Sequence, residues 1–197
     1  ISQPYTVAFL LDLIDPQPGD KILDIGAGSG WQSALLAHIV SQKGEFKNLK
    51  LQVERPGRVY AIERMPGLCE LARSNIEKYG FIKNGAVRLV CADATQDLRK
   101  YGPFDKIVAA AAAEHDIPQA WREQLKVGGK IAAPVDDTIR LYEKISANEW
   151  REKTFPGFAF VPLVEGKVKK ADKPAEKPEK KSGRRKLAKA LIAAYIA

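Results

Sequence analysis

Lys21-Ile22-Leu23-Asp24-Ile25-Gly26-Ala27-Gly28-Ser29-Gly30 is the stretch on which the fold turns. A short apolar run of strand character meets three glycines, and Trp31 to Val40 beyond them reads as a helix. A strand, a glycine loop and a helix in that order mark the place where open α/β sheets bind ligands, at the carboxyl end of a strand. Glycine is needed there because the chain turns tightly and a ligand approaches the backbone more closely than a Cβ permits. The spacing narrows the ligand. A dinucleotide fingerprint, G-x-G-x-x-G, would place its third glycine at position 31, which is Trp31, and a phosphate-cradling loop needs a Gly-Lys-Ser/Thr that is absent after Gly30. The loop reads instead as acid-x-Gly-x-Gly-x-Gly.

Outward from this loop the signals alternate. A helix over 4–14 precedes it and stops at Asp15-Pro16 and Pro18-Gly19. Strands are expected over 58–63, 87–91, 104–110 and 130–134, separated by helices over 66–79, 95–101 and 118–125. That cadence implies right-handed crossovers between parallel strands. Residues 139–146, 149–153 and 158–164 carry no helix between them and read as closing antiparallel strands. The expected fold is a doubly wound, mostly parallel seven-stranded α/β sheet with helices on both faces. Residues 41–57 form a polar stretch longer than the usual connection, an insertion expected on the surface.

Charge and composition bound the rest. The 197 residues carry 32 Lys and Arg against 24 Asp and Glu, a net charge of +8. Eleven of the basic and four of the acidic residues lie in 165–197, so +7 belongs to that tail and only +1 to residues 1–164. Bulk electrostatics therefore gives no case for nucleic acid as a partner of the body of the chain. Residues 165–183, rich in Lys, Pro, Glu and Ala, read as a flexible linker. Residues 184–197 interleave basic groups with Leu187, Leu191, Ile192, Tyr195 and Ile196, the pattern of a short amphipathic helix able to meet an acidic partner. The domain proper is placed at 1–164. No apolar run approaches the roughly 20 residues of a membrane span. Cys69 and Cys91 cannot build a disulfide framework or, with only two histidines, a typical zinc site, so no metal is expected. Both cysteines read as packing residues in a reducing, cytoplasmic setting, His38 as structural and His115 as a solvated loop residue.

The acid-x-Gly-x-Gly-x-Gly loop is similar to that of the class I methyltransferases, which bind S-adenosylmethionine. Gly26, Ala27, Gly28 and Gly30 are then the backbone cradle. Glu63, closing the second strand, is positioned to accept from ribose hydroxyls, and Asp93, after the third, from an adenine amino group; Arg64 and Ala94 adjoin them. Asp24 either touches the ligand or holds the loop. The methyl acceptor is narrowed by absences: no Pro-Pro-aromatic motif follows the fourth strand, neither cysteine follows a proline, and that strand ends in the alanines 109–113.

Further residues resemble one family in particular, the protein-L-isoaspartate O-methyltransferases. The opening Ile1-Ser2-Gln3-Pro4-Tyr5 looks like part of that family's Thr-Ile-Ser-x-Pro segment. Pro18 to Gln32, Pro103-Phe104-Asp105-Lys106-Ile107, Ile117-Pro118, Gly128-Gly129-Lys130-Ile131, Pro134-Val135 and Phe160-Val161-Pro162-Leu163 follow in family order. The resemblance spans residues 1–164 and implies methyl transfer from S-adenosylmethionine to the free carboxylate of isoaspartyl residues in damaged proteins, by a cytoplasmic monomer. It places Ser2 beside the reacting carboxylate, although an N-cap for the following helix is an equally physical use of that serine. A carboxylate with an ordinary pKa near 3.9 is already ionised at neutral pH and needs no general base. The family carries further residues before the point that matches Ile1, and its Gly-Asp-Gly after the third strand is Ala92-Asp93-Ala94 here. Two alternatives therefore stay open: a methyltransferase acting on RNA or a small molecule, and a cofactor-binding domain with little activity.

Overall fold

A computed structural model describes residues 3–46, 51–95 and 98–164. Ser2, the linker 165–183 and the segment 184–197 lie outside the described residues. The elements run α1 (Pro4–Ile14), β1 (Lys21–Ile25), α2 (Trp31–Val40), β2 (Gly44–Phe46), β3 (Leu51–Val53), β4 (Arg58–Glu63), α3 (Pro66–Glu77), β5 (Val87–Cys91), β6 (Phe104–Ala109), α4 (Gln119–Gln124), β7 (Leu125–Val135), β8 (Thr138–Lys144) and β9 (Trp150–Pro156). The main sheet has seven strands in the order β5-β4-β1-β6-β7-β8-β9, parallel from β5 to β7 and antiparallel from there to β9.

β1 sits in the middle, paired with β4 on one side and β6 on the other. Four of its five residues are buried, as a strand covered on both faces must be. The alternation of its side chains divides the core. Ile22 joins Leu10, Leu36 and Ile76 beneath α1, α2 and α3, while Leu23 and Ile25 join Phe104, Ile107, Trp121 and Tyr142 on the opposite face. Parallel strands leave all their carboxyl ends at one edge, so the loops after β1, β4, β5 and β6 converge there.

Several boundaries differ from the expectation. The insertion is a small hairpin, β2 against β3. β7 begins at Leu125, five residues earlier than expected, because it pairs with β6 at Phe104 before a register shift brings Lys130 opposite Lys106. Of the helix expected over 95–101, residues 95 and 99–101 form turns and 96–97 lie outside the described residues. Residues 158–164 do not join the sheet. They run instead alongside the loop after β6, where Ala112 N–H donates to the Val161 carbonyl at 2.8 Å and Leu163 N–H to the Ala112 carbonyl at 2.6 Å. Prolines and an aromatic pattern suited to strand there satisfy a loop rather than a ladder.

Cys69 and Cys91, read as packing residues, are joined in a disulfide with Cα atoms 5.9 Å apart. α3 lies over the neighbouring strands, and this brings Cys69, in its first turn, onto the last residue of β5. Among the described residues, no helix is long and apolar enough to cross a membrane.

Candidate functional site

The converging loops enclose a cleft of about 1180 Å³, lined by Ile25 to Ser29, Ile62 to Met65, Ala92 to Ala94, Ala110 and Ala111, and roofed by the start of α1 and residues 155–164. Small-molecule pockets are commonly about 300–1,000 Å³, so there is space for a nucleoside-sized ligand and part of a second molecule.

The glycine loop is held by its neighbours. Gly26, Gly28 and Gly30 all have positive φ (79°, 55° and 79°), the left-handed region that other residues adopt only with strain. Gly26 N–H and Ala27 N–H both donate to the Ile62 carbonyl at 2.9 and 3.1 Å, which ties the loop across to β4. Gly28 N–H donates to Glu63 Oε2 at 2.9 Å, and Met65 N–H to Glu63 Oε1 at 2.8 Å. Glu63 is 5% exposed. Each carboxylate oxygen has two acceptor sites, so the backbone amides orient this side chain and leave acceptor capacity toward the cleft. From the other side, Asn75 Nδ2 of α3 donates to the Ser29 carbonyl at 2.9 Å.

Asp24 and Gly30 do not line the cleft. Asp24 alternates to the α2 face of the sheet, is fully buried, and accepts from Gln32 Nε2 at 2.8 Å and Ser33 Oγ at 2.5 Å. It thus holds the first turn of α2 under the loop. Burial raises its pKa to about 6 against the lowering by those two hydrogen bonds, with the nearby Glu63 charge adding to the rise. Gly30 is there for packing. A Cβ on it would lie 2.8 Å from Ile76 Cγ1 and 3.0 Å from the Ala72 carbonyl oxygen, so its absence lets α3 close onto the start of α2.

Gly26, Ala27, Gly28, Glu63, Arg64, Asp93 and Ala94 are brought together on one cleft wall. Asp93 Oδ1 accepts from Thr95 N–H and Thr95 Oγ1 at 2.9 and 2.8 Å, a local turn that fixes the carboxylate. The Ala94 carbonyl accepts from Trp121 Nε1 at 2.9 Å, and Ala92 N–H donates to the Glu63 carbonyl at 3.0 Å. His115 does not line the cleft. The N-cap of α1 is Gln3, not Ser2, although Gln3, Tyr5 and Thr6 reach the cleft beside it.

The apolar roof was not expected from the sequence. Phe9 of α1 packs edge-on to Phe155 (centroids 5.3 Å) and stacks on Phe158 (5.2 Å), bringing residues almost 150 positions apart over one opening. Trp31, Leu68 and Leu71 add an apolar rim, each more than a third exposed. Only the exposed apolar residues at helical spacing on α3 hinted at it. Beyond the alanine loop, Asp116 anchors the return of the chain, accepting from Tyr142 OH at 2.9 Å and from Arg122 Nη2 at 2.8 Å. Partial burial would raise its pKa, but hydrogen bonds from Ile117 N–H, Tyr142 and Arg122 outweigh that and hold it below the usual range.

The residues suit a nucleoside-bearing cofactor without pyrophosphate. Gly26 and Gly28 leave the backbone bare, two fixed carboxylates are able to accept from hydroxyl or amine donors, and apolar Ile62, Ala92 and Ala94 offer a seat for a flat ring. Among the described residues no three His, Cys, Asp or Glu side chains cluster as metal ligands.

A protein of Aeropyrum pernix named protein-L-isoaspartate O-methyltransferase is 40% identical over 168 residues, covering 83% of this chain. One of Methanopyrus kandleri with the same name is 38% identical over the same share. The chain spans 58% of the length of the first and 67% of the second. A solved protein-L-isoaspartate O-methyltransferase superposes with a TM-score of 0.70 at 23% identity, over 84% of this chain and 48% of that one, which shows a shared fold. A Plasmodium falciparum structure described in the same terms gives 0.70 at 22%, over 84% and 76%. The family model for protein-L-isoaspartate(D-aspartate) O-methyltransferase (PCMT) matches residues 1–168, and the chain belongs to that family.

Proposed function

We propose that this chain transfers a methyl group from S-adenosylmethionine to the free carboxylate of isoaspartyl residues in damaged proteins. The observation that carries this is the cleft itself: a bare glycine loop and two fixed carboxylates on one wall, opening onto an apolar roof in a cleft of about 1180 Å³. The Plasmodium falciparum relative in fold was crystallised with S-adenosyl-L-homocysteine. S-adenosylmethionine would supply an electrophilic methyl group carried on a sulfonium.

In this reading Gly26, Ala27 and Gly28 lie against the cofactor backbone-first, Glu63 accepts from the ribose hydroxyls, and Asp93 accepts from the adenine amino group beside Ala94. Arg64 completes that wall, and Asp24 and Gly30 act by holding the loop. The acceptor carboxylate is anionic at neutral pH and is its own nucleophile. The work left to the protein is alignment and exclusion of water. Ser2 is proposed to orient that carboxylate through its hydroxyl, with Gln3, Tyr5 and Thr6 beside it on the cleft. Residues 1–164 form the transferase domain, and the basic tail 165–197 is an appendage that meets acidic partners. A cytoplasmic monomer is the setting proposed.

Labelled S-adenosylmethionine incubated with paired peptides differing only by aspartate or isoaspartate tests this. Base-labile label on the isoaspartyl peptide alone is expected. Stable label, label in RNA, or equal labelling of both peptides would refute the assignment.

A further inference from the structure

We propose that Cys69 and Cys91 form a reversible thiol–disulfide exchange site whose state sets how tightly the cleft holds its cofactor. The proposal rests on the cofactor reading above. Its starting point is position. Cys91 is the last residue of β5, paired in register with Glu63, and the next residues, Ala92 to Ala94, line the cleft. Cys69 lies in the first turn of α3, whose entry residue Met65 holds Glu63 Oε1 and whose Leu68 and Leu71 form the rim. The bond between them therefore clamps together the two segments of the wall that carry Glu63 and Asp93. The disulfide adds a covalent tie to the parallel pairing of β4 with β5 and to the hydrogen bond from Ala92 N–H to the Glu63 carbonyl at 3.0 Å.

The two sulfurs differ in access. Cys69 is fully buried, whereas Cys91 is exposed. Exchange then has a defined direction. The Cys91 thiolate attacks one sulfur of a small-molecule disulfide, forming a mixed disulfide and releasing one thiolate. The Cys69 thiolate next attacks the Cys91 sulfur, closing the intramolecular bond and expelling the second thiolate. The two cysteines lose two electrons and two protons, and the small disulfide becomes two thiols. Reduction reverses this, beginning with a thiolate attacking the exposed Cys91 sulfur. In the reducing cytosol of mesophiles a protein disulfide, when present, is usually transient, which suits an exchanging pair in the setting proposed. Closing the bond orders the adenosine side of the cleft before the ligand arrives, so binding has less ordering to accomplish.

The test uses the full chain, oxidised with glutathione disulfide or reduced with a phosphine, and titrated calorimetrically with S-adenosylhomocysteine. The reduced form is expected to bind about five- to tenfold more weakly. Cys91→Ser, which leaves the buried Cys69 in place, is expected to match the reduced form under both conditions, and Cys69→Ala to do the same. Without ligand, amide exchange at 65–71 and 91–94 should quicken on reduction. Glutathione should be captured at position 91 in Cys69→Ala and not at position 69 in Cys91→Ser. Affinity equal within about twofold in the two forms, or failure of glutathione disulfide to close the bond, overturns the proposal. Binding by neither form overturns the cofactor reading on which it rests, a result distinct from equal binding by both.

Discussion

The two sides of the cleft are built differently. On the glycine-loop side, Gly26, Ala27, Gly28, Met65, Ala92 and Thr95 each direct a backbone N–H to a named acceptor within the same wall. On the roof side, the segment 157–164 is tied by two backbone hydrogen bonds to Ala112 and by the Phe9, Phe155 and Phe158 rings, and it exposes Val161 at 69%. The first side is rigid and polar, the second apolar and open. A small ligand of fixed shape calls for prearranged acceptors, whereas a polypeptide of varying sequence calls for a surface that adapts.

Breaking the rigid side should have the largest effect. Gly30→Ala adds a Cβ into Ile76 and the Ala72 carbonyl at a residue with φ of 79°, and should destabilise the fold by roughly 3 kcal/mol in urea denaturation. Gly128 has a similar φ of 82° but nothing within 4 Å of its Cβ position. Gly128→Ala should therefore cost only the conformational part, about 1 kcal/mol, and the pair of variants separates packing from backbone strain. An equal cost at both positions would remove α3 packing as the reason for Gly30.

Asp24 sharpens the comparison through pH. Its folded-state value is raised from 3.8 to about 6, so folding takes up a proton in that interval. Its contribution to stability is fully present below about pH 4 and is lost as pH rises through about 6. The full span is on the order of 3 kcal/mol. Asp24→Asn should flatten this part of the stability profile, measured by urea denaturation between pH 4 and 7. An unchanged slope would show that Asp24 does not carry it.

At the ligand, Glu63→Ala leaves Gly28 N–H without its partner and removes an acceptor from the cleft. S-adenosylhomocysteine binding should weaken by about 10- to 50-fold in calorimetry. Phe158→Ala should act on the other side alone. It should leave that affinity within about threefold while raising KM for an isoaspartyl peptide by about three- to tenfold. If the phenylalanine variant lost cofactor affinity as the glutamate variant does, the two sides would not be separable.

Much of the architecture could be read locally. The strand at 21–25 and the helix at 31–40 fall where periodicity and glycine placed them, because both signals depend on neighbouring residues. The positions of Glu63 and Asp93 on the wall were legible for the same reason: one ends a recognisable strand, the other follows one, and parallel strands end at one edge. Gly30 was read as a cofactor residue because its spacing fits the motif, and Asp24 as either a ligand contact or a holder of the loop. Spacing does not say which face of the sheet a side chain joins, and the structure turns both toward the helices.

Sequence alone determined the alternation of strands and helices around the glycine loop, the loop itself and the separation of the nearly neutral body from its basic tail, all consequences of local composition and period. Tertiary structure decided the rest. It laid 158–164 along the alanine loop instead of in the sheet, stacked Phe9 on Phe158, and joined Cys69 to Cys91. Those partners lie from 22 to about 150 residues apart, and which of them meet is fixed by strand order and helix packing, quantities that no short window of sequence contains.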